Sequence, residues 1–210
     1  MSKTGYLACA IDNTALVLID HQVGTIGWAG ELASDAEREQ LKMWVRAITR
    51  FAKGAGIPIV LTSSLETEAQ GPLLPEFETL AADEYKARVQ RTGVINAWDD
   101  PAFVAAVRAT GRQNLLMGGL TTDVCLVPPA LSAKAEGWNV VALVDISAAC
   151  TKLAAHNARE ILARAGIDAM TVTPMITSML GNYRHPASGA FFGAFDREGV
   201  YAAFGRGNLR

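Results

Sequence analysis

The segments ALVLID and LLMGGLTTDVC each end an apolar run with a side chain that can do acid–base or nucleophilic chemistry. Asp20 ends the first, and a carboxylate at the carboxyl end of a strand can act as a general base in a cleft. Cys125 ends the second, where we expect a helix to begin, and free backbone N–H groups there favour a thiolate and can bind an oxyanion. The structural alternatives are that Asp20 caps a turn or helix and that Cys125 is a small buried apolar residue.

Short runs rich in Val, Ile and Leu predict the strands that position these residues. They cover residues 15–19, 57–61, 114–117, 140–144 and 169–173, and a weakly alternating strand leads to Arg91 in the segment YKARVQRTGVINAWDD. Apolar residues at helical spacing predict helices over residues 34–54, 100–111 and 151–166. This alternation predicts an α/β protein with three α/β/α layers around a doubly wound, mainly parallel sheet. Ligands of such sheets bind at the carboxyl ends of the strands.

Two regions depart from the regular alternation. Residues 62–84 form a long connection that contains Pro and Gly, and we interpret it as a wall of the pocket. Residues 181–210 are rich in Gly and aromatic side chains without a clear period. We expect this C-terminal segment to pack on the body of the protein or on a neighbouring subunit, because so many apolar side chains are unfavourable in water.

The composition favours one domain that spans residues 1–210 and acts on a small molecule. About half of the 210 residues are apolar, and the net charge is −2 without a run of like charges, which argues against nucleic acid and membrane surfaces as partners. The N-terminus lacks the pattern of a secretory signal, and no apolar run is long enough to cross a membrane, so we expect a cytoplasmic protein. Three cysteines at irregular spacing predict free thiols rather than disulfides or a zinc site.

Four segments resemble the isochorismatase-like cysteine hydrolases, and most closely the bacterial YcaC-like hydrolases. They are DHQ after the first strand, LTSSLETEAQGPLLPEF, RTGVINAWD and GGLTTDVC followed by ALSA, and the resemblance extends from about residue 13 to about residue 175. It implies a six-stranded parallel sheet (Rossmann-like), a cis peptide near Leu120–Thr121, and a catalytic triad in which Asp20 is the base and Cys125 the nucleophile. It also implies an oxyanion hole formed by the N–H groups of Thr121 and Cys125, and a ring-like homo-oligomer such as an octamer.

The third member of the implied triad differs from the common pattern. Most of the superfamily carries a lysine there, whereas Arg91 precedes the NAW segment in this sequence. An arginine does not release its proton in a protein, so Arg91 would stabilise charge and orient the other two residues. Lys86, five residues earlier, is the alternative third catalytic residue.

The sequence predicts no metal and no other cofactor. The nicotinamidase branch of the superfamily binds a metal through a D-x-H motif and a further histidine after the second strand, where this chain reads SSLETEAQGP. Its three histidines, His21, His156 and His185, lack the spacing of metal ligands, and His21 is interpreted as a packing residue beside Asp20. No glycine-rich nucleotide-binding motif follows a strand.

These observations predict a metal-independent cysteine hydrolase that cleaves an amide or related bond of a small molecule through a covalent Cys125 intermediate. Glu66, Asn96 and Trp98 are predicted to line the pocket, and Trp98 could equally belong to the core. One alternative is a self-assembling or metabolite-binding protein of the same fold without turnover. Another is hydrolysis of a vinyl ether, the isochorismatase reaction, which does not need the cysteine.

Overall fold

Six strands form one sheet, and every strand pair in it is parallel. In the computed structural model, which describes residues 5–205 without the side chains of residues 203–205, the strands are β1 (Thr14–Ile19), β2 (Ile59–Ser64), β3 (Val89–Arg91), β4 (Asn114–Gly119), β5 (Asn139–Leu143) and β6 (Asp168–Met170). Their order across the sheet is β3-β2-β1-β4-β5-β6. The predicted doubly wound parallel sheet is confirmed.

Helices cover both faces of the sheet and complete the three layers. They are α1 (Thr25–Trp28), α2 (Asp35–Ala55), α3 (Glu76–Leu80), α4 (Ala82–Lys86), α5 (Pro101–Ala109), α6 (Val127–Ala135), α7 (Lys152–Arg164), α8 (Val172–Leu180), α9 (Ser188–Arg197) and α10 (Val200–Gly205). Alternate residues of β1 enter opposite cores, since side chains of a strand point to its two faces in turn. Leu16 and Leu18 pack in the core that contains α2 and α8, and Val17 and Ile19 in the one that contains α5 and α6.

Helix α2 begins at the predicted place and ends one residue later than predicted. Ser34 caps its first turn, and the Glu37 side chain bonds back to the Ser34 N–H in a capping box. The helix continues through Gly54 to Ala55, and Gly56, with a left-handed φ of 73°, ends it. A Cβ on Gly54 would lie 2.8 Å from the Ala190 Cβ. Gly54 therefore allows α9 to approach α2 closely and is not a stop signal.

The predictions for three other segments need correction. Strand β2 covers residues 59–64 rather than 57–61, and residues 62–84 then contain α3 and part of α4 instead of a plain connection. The strand that leads to Arg91 has only three residues, because the chain before it, including Lys86, is helical. Residues 169–173 do not form one strand: β6 ends at Met170 and α8 begins at Val172, whose N–H donates to the Asp145 carboxylate at 2.9 Å.

The described part of the C-terminal segment packs on the body of the protein. Phe195 of α9 lies 5.8 Å from the Trp44 ring of α2 between ring centroids. The Glu198 carboxylate accepts hydrogen bonds from Arg46 and Arg50 of α2, each at 2.6 Å. Residues 206–210 of this segment lie outside the described residues. Within residues 5–205, no helix has the length and apolar character that a membrane span requires.

Candidate active site

Asp20 and Cys125 follow the two central strands of the sheet, β1 and β4. These strands are paired along their whole length, with Ile19 opposite Gly119 at their carboxyl ends. The strand order reverses direction between them, because β2 and β3 extend to one side and β5 and β6 to the other. Crevices of doubly wound sheets form at this switch point. The fold therefore brings the two predicted residues together at the place where such proteins bind ligands.

Asp20 turns the chain out of β1 in a conformation that non-glycine residues rarely adopt. Its φ is 56°, and its N–H donates to the Thr62 carbonyl of β2 at 3.0 Å. The Thr25 hydroxyl donates to the Asp20 carbonyl at 2.6 Å and holds the turn. Strained backbone of this kind is found preferentially at functional sites. Its effect here is to fix the carboxylate at the edge of the sheet.

Arg91 forms a buried ion pair with Asp20. It is the last residue of β3 and reaches past β2, where its Nε–H donates to the Thr62 hydroxyl at 3.1 Å. One terminal nitrogen donates to the Asp20 carboxylate, and the other donates to the backbone carbonyls of Val94 and Ile95. Burial raises the pKa of Asp20, while the charge and hydrogen bond of Arg91 oppose that rise. Arg91 thus favours the ionised form of a carboxylate that is removed from water.

The Cys125 thiol is hydrogen-bonded to the Asp20 carboxylate. Burial, followed by the negative charge of Asp20, raises the pKa of the Cys125 thiol well above its usual range. The expectation that the helix start favours a thiolate is therefore wrong, because desolvation and the neighbouring carboxylate outweigh the N–H groups. The resting pair is a neutral thiol beside a carboxylate that can accept its proton.

A π-helical turn over Thr122–Leu126 carries Cys125, and α6 begins only at Val127. Pro128 and Pro129 lie in the first turn of α6. Wide π-helical turns such as the one before them often occur at functional sites. The two glycines before the turn are needed for close packing. A Cβ on Gly119 would lie 3.0 Å from the Leu126 Cβ, and one on Gly118 would lie 2.5 Å from the Ile146 Cδ1.

The predicted oxyanion hole has one free donor in this structure. The Leu120–Thr121 peptide bond is cis, and the Thr121 N–H has no hydrogen-bond acceptor among residues 5–205. The Cys125 N–H, the other predicted donor, points to the Thr121 carbonyl at 2.7 Å. It is therefore engaged within the turn, and an oxyanion would have to share it.

The other predicted site residues do not contact Asp20 or Cys125. Lys86 is exposed at the end of α4. Glu66 is tied by Arg88 through two hydrogen bonds of 2.7 and 2.8 Å. The Asn96 side chain accepts from the Trp98 N–H and donates to the Ser132 hydroxyl. Trp98 is buried against the rings of Phe103 and Trp138, so it belongs to the core.

Three further polar residues lie near the site. The sequence analysis interpreted His21 as a packing residue and did not single out Gln22 or Thr62. His21 is fully buried, donates from Nε2 to the Ile146 carbonyl at 2.8 Å, and has a pKa lowered to about 4 by burial. The buried Gln22 amide bonds to both backbone groups of Ser64 and so ties β1 to β2. Thr62 positions Arg91. The sequence contained one signal for Thr62: it is a hydroxyl residue that directly follows the apolar run IPIVL.

Possible metal ligands are scattered in the described part of the chain. Within residues 5–205, no three His, Cys, Asp or Glu side chains are grouped so that they could hold an ion. The contacts of Asp20 and Cys125 are with each other, with Arg91 and with backbone groups.

Comparisons with known proteins identify the family of this chain. The isochorismatase domain model matches residues 14–174. A probable hydrolase of Escherichia coli, YcaC, is 35% identical over 184 residues, which cover 88% of this chain and 86% of the relative. The crystal structure of the E. coli YcaC product, described as an octameric hydrolase of unknown specificity, superposes with a TM-score of 0.83 at 30% identity and covers 94% of this chain and 96% of that chain.

YcaC of Pseudomonas aeruginosa, solved with hexane-2,5-diol and covalent acrylamide, has a TM-score of 0.80 at 28% identity, with the same coverage of 94% and 96%. The matched family domain contains Asp20, Arg91 and Cys125, and the structural superposition extends over nearly the whole chain. The chain therefore belongs to the isochorismatase-like hydrolase family.

Proposed function

We propose that this protein is a metal-independent cysteine hydrolase that cleaves an amide or related C–N bond of a small molecule. The observation that carries the proposal is the continuous chain of contacts from Arg91 to Asp20 to Cys125 at the switch point of the sheet. A nucleophile hydrogen-bonded to a base that is oriented by a third group is the usual arrangement for covalent catalysis.

In the proposed mechanism, the Cys125 Sγ attacks the carbonyl carbon of the substrate while its proton passes to the Asp20 carboxylate. The negative charge that develops on the carbonyl oxygen is stabilised by the Thr121 N–H. Asp20 returns the proton to the leaving amine, and the thioester remains on Cys125. Asp20 then accepts a proton from the attacking water, the acid is released and the thiol is restored.

The role proposed for Arg91 is indirect. Its guanidinium is enclosed by Asp20, Thr62 and two backbone carbonyls, and its side chain has no exposed surface. It therefore acts on the substrate only through Asp20, as a positioning residue that keeps the carboxylate ionised. The exposed Lys86 lacks this contact, which favours Arg91 as the third residue of the triad.

The relative from Pseudomonas aeruginosa supports a reactive thiol, because acrylamide is bound covalently in its structure. Acrylamide is an uncharged electrophile that reacts with thiolates, and the thiolate is the reactive form of cysteine. Vinyl ether hydrolysis would leave the Asp20–Cys125 contact without a purpose. A protein without turnover would have no need for a strained carboxylate next to a partly buried thiol.

The test is a screen of small amides, esters and ureas with three proteins: wild type, Cys125→Ala and Cys9→Ala. Cys9 is a buried thiol whose contacts are with Gly5 and Asn139, away from the triad, so it controls for the loss of any cysteine. We expect hydrolysis by wild type and Cys9→Ala and none by Cys125→Ala. Equal activity in all three would reject the cysteine mechanism.

We also propose that the chain forms a homo-oligomer, with an octamer as the expected state. Tyr183, Phe192 and Tyr201 are exposed by 64%, 43% and 42% on the surface of the C-terminal segment, beside the buried rings of Phe191 and Phe195. Exposed apolar patches mark interfaces. The octameric state of the E. coli relative supports the same conclusion.

A further inference from the structure

We infer that the site accepts substrates that are uncharged at the reacting end and excludes those that carry a carboxylate there. Apolar side chains of Val94, Ile95 and Val124 at the mouth of the site would bind the rest of the molecule. This inference rests on the proposed function and adds a substrate class to it. Two observations support it: the hydrogen bonds of Arg91 are already made within the protein, and the exposed side chains nearby are apolar.

The cation of the site is not available to a ligand. Arg91 donates to Asp20, to the Thr62 hydroxyl and to the carbonyls of Val94 and Ile95, and its side chain has no exposed surface. Among residues 5–205, Arg91 is the cation whose charge acts on both Asp20 and Cys125. Its charge is balanced by the Asp20 carboxylate, so the triad with a neutral thiol has no net charge.

A substrate carboxylate next to Cys125 would therefore be unfavourable. It would lie beside the buried Asp20 carboxylate, at a thiol that is itself partly buried. An anion that loses its hydration without gaining a cation is strongly destabilised, and a like charge nearby adds to the penalty. The free Thr121 N–H is a single neutral donor and suits a carbonyl oxygen.

Three exposed apolar side chains belong to the segments that contact or carry the triad residues. Val94 and Ile95 are exposed by 37% and 69%, and their backbone carbonyls bind Arg91, which places this loop beside the ion pair. Val124 is exposed by 41% and directly precedes Cys125. The nearest charged side chain in the same turn is Asp123, an anion that accepts from the Cys150 N–H at 3.1 Å. This mouth favours apolar groups and disfavours anions.

Iodoacetamide and iodoacetate test the charge selectivity, because they alkylate thiols in the same way and differ in charge. The rate at Cys125 is measured for each by peptide mass spectrometry on the full-length protein, with 2-mercaptoethanol as the reference thiol. We expect the iodoacetamide-to-iodoacetate ratio at Cys125 to exceed the reference ratio by at least about tenfold. Equal ratios would overturn the inference, and so would failure of both reagents to reach Cys125.

Substitutions at the mouth test where the selectivity resides. Ile95→Lys should lower the ratio several-fold by adding a cation near the site, whereas Leu7→Lys, on an exposed residue of the N-terminal segment, should leave it unchanged. Ile95→Ser should reduce the preference for N-phenyl iodoacetamide over iodoacetamide. The role assigned to Ile95 at the mouth would be overturned if Ile95→Lys kept the wild-type ratio of iodoacetamide to iodoacetate rates and Ile95→Ser kept the wild-type preference for N-phenyl iodoacetamide. Selective labelling in a protein that hydrolyses nothing would reject only the proposed function.

Discussion

Arg91 and Asp20 form an ion pair from which water is excluded: the Arg91 side chain has no exposed surface, and 3% of the Asp20 side chain is exposed. Breaking such a pair by removing one partner is strongly destabilising, because the other charge stays buried. Asp20 contacts both Arg91 and Cys125, and the charge of Arg91 also acts on the Cys125 thiol, where it opposes the rise in pKa.

Two substitutions of Arg91 should therefore distinguish the contribution of its charge from that of its hydrogen bonds. Arg91→Lys keeps a cation near Asp20 but loses bonds to Thr62, Val94 and Ile95, so we expect kcat/KM to fall by about tenfold. Arg91→Met leaves Asp20 buried without a counter-charge. It should lose activity by on the order of 10² or more and about 3–5 kcal/mol of stability. Lys86→Met is the control and should behave like wild type. A dead Lys86→Met with active Arg91 variants would reverse the assignment.

The pH dependence of stability should reveal the buried His21. Burial lowers its pKa from 6.5 to about 4, so between these values the unfolded chain binds a proton at this residue that the folded protein does not. Stability is then full above pH 6.5 and falls as the pH decreases towards 4, by about 3 kcal/mol. The His21→Gln side chain does not titrate between pH 6.5 and 4. Denaturant unfolding of this variant should therefore show a decrease in stability over this pH range that is smaller than that of wild type by about 3 kcal/mol. The same loss in both proteins would contradict the burial of a neutral imidazole.

The Glu198 carboxylate should contribute more to stability than an exposed ion pair. It is 4% exposed and binds Arg46 and Arg50 at 2.6 Å each, joining the C-terminal segment to α2. We expect Glu198→Gln to lower the free energy of unfolding by about 3 kcal/mol. Glu160→Gln removes the exposed pair with Arg164 on α7 and should cost less than about 0.5 kcal/mol. Equal effects of the two substitutions would show that the Glu198 contacts add nothing.

Light scattering tests the assembly. The full-length protein should have about eight times the mass of one chain, as the octameric E. coli relative suggests. Removing the C-terminal segment would uncover the core, because Phe191 and Phe195 are buried, so surface substitutions are the sharper test. The double variant Tyr183→Glu, Phe192→Glu should dissociate into smaller species while it keeps its circular dichroism spectrum. A monomeric wild type would refute the oligomer, and an unchanged variant would place the interface elsewhere.

The sequence was sufficient to predict the sheet and the proximity of Asp20 and Cys125. Asp20 and Cys125 directly follow apolar segments, and parallel strands bring such positions to one edge. It could not show how Arg91 reaches Asp20, since this depends on Thr62 of β2 and on the loop that contains Val94. Nor could it show the direction of the Cys125 pKa shift, which results from burial by the surrounding structure.

Local signals were misleading where packing overrides them. Gly54 has the residue type of a helix stop but lies inside α2, because it lets α9 approach. Trp98 is an aromatic residue near the site in sequence, yet it fills the core with Phe103 and Trp138. Both outcomes depend on contacts between segments that are distant in the chain, which periodicity and residue type do not encode.

The most direct test of the account is to trap the covalent intermediate. Wild type is mixed with a small neutral ester or amide that it hydrolyses, quenched in acid within the first turnovers, and analysed by mass spectrometry. We predict a mass increase equal to the acyl group on the peptide that contains Cys125, with decay at the turnover rate and no such adduct in Cys125→Ala. Turnover without any adduct on Cys125, accompanied by an active Cys125→Ala, would contradict the account.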